Sequence, residues 1–170
     1  MLTHRVSEAI SFEVKVNNPS DAELAYVAGV MDGEACVTIL RQKFPRKFQY
    51  RLFIVVSNTN KEVILYLHET MGCGRIHPLR RTNAKRDVWM DVWQWQVSGS
   101  EAYAMLLMVQ PYLIVKRRDA ILGMEFYRLP PNDYARIPDP FVESERERLY
   151  LSISDGRLKN KKRKRHEKLT

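Results

Sequence analysis

Residues 24–35 read Leu24-Ala25-Tyr26-Val27-Ala28-Gly29-Val30-Met31-Asp32-Gly33-Glu34-Ala35. Small and apolar residues at helical spacing run directly into two carboxylates that flank a glycine. Upstream, Ser20 can cap a helix and Glu23, three residues on, completes a capping box. The pattern predicts a helix from about Asp21 to Asp32, with Gly33 free to take positive φ at its exit. Ala25, Ala28 and Gly29 are small enough for two such helices to approach backbone to backbone, and Val30 and Met31 add apolar contact. A helix C-terminus carries partial negative charge, so acids placed there work against the dipole. A plain capping role explains them poorly. Two copies of Glu34 brought together would repel unless a cation lay between them. Mg²⁺, a hard ion that takes oxygen ligands and keeps part of its water, suits that position.

From Ala35 the period changes from helical to alternating. Val37, Ile39 and Arg41 fall on one face, and Cys36, Thr38, Leu40 and Gln42 on the other. Phe44-Pro45-Arg46-Lys47 supplies a turn, and Phe48 to Ser57 reads as the returning strand. Asn58-Thr59-Asn60 caps a helix over Lys61 to Met71, closed by Gly72. Residues 74–81 and 88–98 read as two more strands around a polar turn at 82–87. In the last of them Trp89, Asp91, Trp93 and Trp95 share one face, and Val88, Met90, Val92, Gln94 and Gln96 share the other. A short helix follows from Gly99-Ser100 to about Met108. Another opens at Pro111 and runs to about Leu129, before Pro130-Pro131, and a last one covers about 141–154. The order αββαββα with added helices predicts an α+β domain. Four antiparallel strands carry helices on one face only, so the other face needs a partner.

The chain of 170 residues is 45% hydrophobic and 28% charged, which suits one globular domain. The expected division is a single domain over 1–156, with its core at about 20–128 and a helical part at 129–156, followed by a basic tail over 157–170. No apolar run approaches the roughly 20 residues of a membrane span, and the N-terminus does not read as a signal peptide. Cys36 and Cys73 are too few for a disulfide framework or a zinc site, so an intracellular protein with plain thiols is expected. The net charge of +8 is unevenly spread. Residues 41–86 hold eleven Lys/Arg against two acids, and residues 157–170 hold eight against one. The segments 1–40 and 87–156 each carry a net −4. A strongly basic segment inside a balanced protein points to a polyanion-binding face, whereas a merely solvated surface rarely concentrates charge this way.

The run Val27-Ala28-Gly29-Val30-Met31-Asp32-Gly33-Glu34-Ala35, set in an αββαββα order over residues 20–128, resembles the LAGLIDADG homing endonucleases. It departs from the motif in Val27 for leucine, Glu34 for aspartate and Ala35 for the last glycine, so position 35 should not need positive φ. Leu151 to Arg157 contains an Asp-Gly pair but no small-residue surface and no second acid, so only one motif is present. By this resemblance the chain is half of an active site. It implies a homodimer joined along Tyr26, Val27, Ala28, Gly29, Val30 and Met31 that cuts both strands of a long, near-palindromic DNA target. Glu34 and the Gly33 backbone would hold Mg²⁺ or another divalent cation such as Mn²⁺. Lys116, a few residues after Pro111, matches a lysine near the scissile phosphate. Asn58 and Lys61 match a polar water-organising residue and a basic residue after it.

The resemblance also assigns the outward sheet face to DNA, since a two-stranded ribbon fits the major groove. Alternation then nominates Thr38, Leu40, Gln42, Gln49 and Arg51 from the first hairpin, and Arg75, His77, Arg81, Asp91 and Trp93 from the second. Arg46, Lys47, Arg80, Lys85 and Arg86 at the turns would hold phosphates. Two other readings remain open on the sequence. One is a non-catalytic protein of the same fold, either a maturase acting on intron RNA or a transcriptional regulator. The other is a basic α+β RNA-binding protein that is monomeric.

Overall fold

The computed structural model describes residues 16–45, 47–79, 91–130 and 139–166, and the side chains up to Asp155. Among the described residues five helices and four strands follow in the order α1 (Asp21–Glu34), β1 (Ala35–Lys43), β2 (Phe48–Asn58), α2 (Lys61–Met71), β3 (Arg75–Leu79), β4 (Val92–Ser98), α3 (Gly99–Val109), α4 (Arg117–Arg128) and α5 (Pro140–His166). A 3₁₀ turn, Gln110–Tyr112, lies between α3 and α4. The strands form one antiparallel sheet in the order β1-β2-β4-β3. Among the described residues no helix is long and apolar enough to cross a membrane.

The capping box of α1 forms as the sequence predicts, with Ser20 Oγ accepting from the Glu23 backbone and Glu23 accepting from Ser20 N–H at 2.8 Å. The exit differs. α1 continues through Gly33 to Glu34, and Gly33 is not among the positive-φ glycines. Ala35 then turns directly into β1 at φ −81°, so no glycine is needed there. α2 does end on a left-handed glycine, Gly72 at φ 67°. Asn17 covers that end, its amide donating to the Glu69 carbonyl at 2.8 Å, and a Cβ on Gly72 would strike its side chain.

Register explains which side of the sheet is buried. Val37 pairs with Ile54, Ile39 with Leu52, and Val56 with both Ala35 and Trp95, and these side chains are almost wholly buried beneath the helices. Trp95 is fully buried and its indole N–H donates to the Cys73 carbonyl at 2.9 Å. Burial pushes the Cys73 thiol up to about 12, with Glu101 adding to it, so that thiol is inert. Cys36 and Cys73 are both free.

Two expected helices differ in extent. Pro111 opens the 3₁₀ turn rather than an α-helix, because residues 113–116 break away before α4 begins at Arg117. α5 runs from Pro140 to His166 and so carries helix past residue 156 into the basic segment. It is pinned to the far half of the first hairpin. Glu147 accepts from Arg41 Nη1 and from the Tyr50 hydroxyl, each at 2.5 Å, while the Arg41 guanidinium lies over the rings of Phe48 and Tyr150. Burial alone would raise the Glu147 pKa. The two hydrogen bonds and the Arg41 charge outweigh it and hold the carboxyl below its usual range. Arg146, nearly buried, bonds Glu143 at 2.6 Å and the Pro130 carbonyl.

Candidate active site and nucleic-acid interface

α1 delivers its acids to one edge of the sheet. Ala35 pairs with Val56, so the preceding Glu34 stands beside the Ser57–Asn58 end of β2. Asn58 in turn pairs with Trp93, and α2 starts three residues later at Lys61. Glu34, Asn58 and Lys61 are therefore gathered at the same end of the sheet. Glu34 and Gly33 are exposed. As one of the last residues of a helix, Gly33 has a carbonyl with no regular partner further along the helix. Asn58 Oδ1 accepts from Asn60 N–H at 2.8 Å, and Asn60 caps α2 through Glu62 N–H at 2.9 Å. The Lys61 ammonium lies 4.5 Å from the centroid of the Trp93 ring.

Lys116 comes to this end by a link the sequence reading missed. Asp32, half-buried in the last turn of α1, accepts three consecutive backbone N–H groups. Ile114 donates to Oδ2 at 2.8 Å, and Val115 and Lys116 donate to Oδ1 at 3.0 and 2.8 Å. Desolvation pulls the Asp32 pKa upward. The three amides and the charge of Lys116 overcome it and leave the carboxyl below its ordinary value. Arg117 holds the other polarity of the same loop, donating to the carbonyls of Leu113 at 2.8 Å and Pro111 at 2.9 Å. Arg118 donates to the Ser152 carbonyl on α5. Both guanidinium groups are thus spent on backbone carbonyls. Among the described residues no cluster of three or more His, Cys, Asp or Glu forms within one chain.

The expected interface along α1 is corrected in part. Val27, Ala28 and Met31 are wholly buried in the chain's own core, because they face the sheet and α3, and no partner can reach them. Tyr26 and Gly29 are exposed, Val30 is half-buried, and the exposed stripe is completed by Ala22, Ala25 and Gly33. Tyr26 packs edge-on against Tyr66 of α2, with ring centroids 5.2 Å apart. Next to this helix end, Ile114 and Val115 are 83% and 68% exposed, the former the most exposed large apolar side chain described.

The outward sheet face is built of the paired residues Cys36/Val55, Thr38/Phe53, Leu40/Arg51 and Gln42/Gln49, extended by Ser57/Gln94, Arg75/Gln96 and His77/Gln94. Leu40, Gln42, Gln49, Arg51, Arg75 and His77 thus lie on the face that alternation assigned them. Thr38 shares the face but is only 8% exposed, and its hydroxyl donates to the Ile39 carbonyl, so it is not a free reader. Trp93 is a correction. It pairs with Asn58 and Pro78 on the helix side, where Trp95 also lies, and Gln94 and Gln96 take the outward positions. Those two glutamines are linked, Gln96 donating to Gln94 at 3.2 Å and Gln94 to Ser57 Oγ at 3.1 Å. The strand alternates as the sequence predicts, but its amide side, not its aromatic side, faces out. Asp91 precedes β4, and Lys47 lies in the first hairpin's turn. Arg46, Arg80, Arg81, Lys85 and Arg86 lie outside the described residues.

No family model matches the sequence, and no curated protein matches it. Solved structures do. The homing endonuclease I-CvuI, in complex with the I-CreI target, is 23% identical with a TM-score of 0.65, over 78% of this chain and 80% of that one. The archaeal intron-encoded homing endonuclease I-Vdi141I, complexed with DNA, is 14% identical with a TM-score of 0.53, over 77% and 98%. The LAGLIDADG meganuclease I-AabMI, bound to uncleaved DNA, is 17% identical with a TM-score of 0.57, over 75% of this chain but 43% of the other. The helix that ends in Glu34, the β1-β2-β4-β3 sheet and its one open face are accordingly those of the LAGLIDADG homing-endonuclease fold.

Proposed function

We propose that this chain is a site-specific, Mg²⁺-dependent DNA endonuclease that acts as a homodimer joined along α1. The observation that carries the reading is the exposed stripe of α1 that ends at Glu34. Gly29 sits in mid-helix, where glycine costs about 1 kcal/mol relative to alanine, yet a Cβ there would meet nothing within 4 Å. Nothing among the described residues explains that glycine. Close approach of a second backbone does, and Ala22, Ala25 and the exposed Ile114 and Val115 supply apolar surface around it. A two-fold axis through this stripe brings two copies of Glu34 to one place, beneath a continuous surface made of two outward sheet faces.

The donors fit a hard divalent ion. One chain offers a carboxylate at Glu34 and a backbone oxygen at Gly33, and a second copy doubles them, leaving room for water and phosphate oxygens. Such an ion, when bound, lowers the pKa of a water and neutralises charge on the attacking and leaving oxygens. The protein groups have separate tasks. Glu34 and the Gly33 carbonyl would hold the divalent cation. Lys116 places a positive charge beside the scissile phosphate, where charge grows as the bond breaks. Asn58, at the end of β2, orients water, and Lys61 adds positive charge at the same edge. Leu40, Gln42, Gln49, Arg51, Arg75, His77, Gln94 and Gln96 read or buttress the major groove, with arginine and glutamine suited to bidentate contacts with guanine and adenine. Lys47 and the other turn cations hold phosphates.

A library of random duplexes incubated with the protein and Mg²⁺ tests this reading. Cut molecules should share a long site whose two halves are related by a dyad, and a chelator should suppress every cut. Recovery of asymmetric or sequence-independent cuts, or of none, contradicts it.

A further inference from the structure

We propose that Asp32 is a positioning residue, whose carboxylate clamps the 114–116 backbone and thereby sets where Lys116 stands relative to Glu34. The inference rests on the nuclease reading of this end of α1. Lys116 is the residue just before α4, at φ −92° and ψ 2°, which is neither helical nor extended. Its carbonyl accepts the first helical bond of α4, from Ala120 N–H at 2.9 Å, but its own N–H lies outside the α4 ladder. The Lys116 side chain makes no cap bond to α4, and the Lys116 N–H is tied instead to α1, 84 positions away in sequence. Asp32 has two oxygens and accepts three N–H groups, so the peptide planes at 114, 115 and 116 are all tied to one carboxylate. Arg117 ties the carbonyls at 111 and 113. Acid on the amides and base on the carbonyls leave this loop little freedom to turn.

The spacing gives the clamp its use. Asp32 and Glu34 are two residues apart on the same final helical turn. Whatever moves Glu34 moves Asp32, and with it the loop that carries Lys116. The acid that binds the ion and the base that meets the phosphate are thus held as one unit, although they lie far apart in the chain. A buried structural cap would need no such proximity to the exposed acid. Misplacement of a catalytic group by about 1 Å can cost roughly 100-fold in rate, so the coupling is worth building in.

The test compares wild type, Asp32→Asn, Lys116→Met and the double variant in single-turnover cleavage of the selected site, with DNA affinity measured in parallel. Asparagine keeps Oδ1 for two of the amides but turns an NH₂ toward a donor. We expect cleavage by Asp32→Asn to slow by roughly 10–100-fold with affinity within about threefold. Added to Lys116→Met, the same change should slow cleavage by less than about threefold further, because Asp32 acts through a lysine already gone. Amide exchange at 114, 115 and 116 should rise by about tenfold or more in Asp32→Asn while the sheet stays protected. Equal slowing with and without Lys116, or unchanged exchange at the three amides, overturns the proposal. If wild type cuts no duplex at all, the nuclease reading fails, and the exchange measurement still decides whether Asp32 holds the loop.

Discussion

Replacing Glu34 by glutamine is expected to abolish strand cleavage, by at least about 1,000-fold in single-turnover rate, while specific DNA affinity changes by less than about fivefold. The carboxylate is exposed at the end of α1 and belongs to neither the buried core nor the outward sheet face, so its loss removes no packing and no groove contact. What it removes, in the proposed site, is the negative charge that would draw the ion. The amide keeps the shape and one oxygen, but a neutral donor competes poorly with water for a hard cation. A second consequence follows from the proposed dimer. Two like charges near a two-fold axis repel when no ion is present. Without metal, Glu34→Gln should therefore dimerise at least as tightly as wild type, as read from sedimentation at graded concentration in a chelator. A weaker dimer in that comparison would mean that Glu34 holds the subunits together by some other contact.

The second large effect is at Gly29. Leucine there should leave the isolated chain as stable as wild type or more stable by up to about 1 kcal/mol, since glycine is the poorer helix former, the position is exposed and a Cβ there meets nothing within 4 Å. The same leucine should convert the dimer to a monomer at micromolar concentration and abolish cleavage, because two side chains would now stand where two backbones meet. Sedimentation velocity and a urea titration read the two effects separately. A destabilised monomer, or a dimer that persists with leucine at 29, would remove α1 from the interface. Helix propensity and self-association pull in opposite directions at this one position, which separates this outcome from a general folding defect.

Much of this architecture was legible because strong local rules agreed. The Ser20/Glu23 capping box, the alternation of β1 and the left-handed Gly72 each decide a boundary by neighbouring atoms alone. The basic segment over 41–86 predicts a polyanion-binding surface, and among its described strand cations Arg51 and Arg75 lie on the outward face while Arg41 turns to Glu147 on the helix side. What the chain concealed were facts of long-range contact. The α1 sequence shows that small and apolar residues alternate with helical period, but not which stripe faces inward, so Val27, Ala28 and Met31 were offered to a partner when their own sheet takes them. The face of Trp93 was likewise set by pairing with Asn58 and Pro78, two separate strands. Asp32 is the clearest case. Nothing near residue 32 announces that its carboxylate will meet three amides at 114–116, because that contact exists only once α1 and the 3₁₀ turn have packed together. Pro111 misled for the same reason: it marks a helix start in general, yet here the chain must break at 113–116 to reach Asp32.

A cysteine placed at residue 29 and exposed to mild oxidant probes the two-fold contact most directly. Disulfides form only where Cα atoms come within about 7 Å, so Gly29→Cys should give a symmetric covalent dimer in high yield, with the bridge mapped to position 29 in both copies. A cysteine at the exposed Leu151 of α5 should give none. If Gly29→Cys stays monomeric under oxidant, even on its selected DNA site, the paired α1 helices and the shared Glu34 site are wrong.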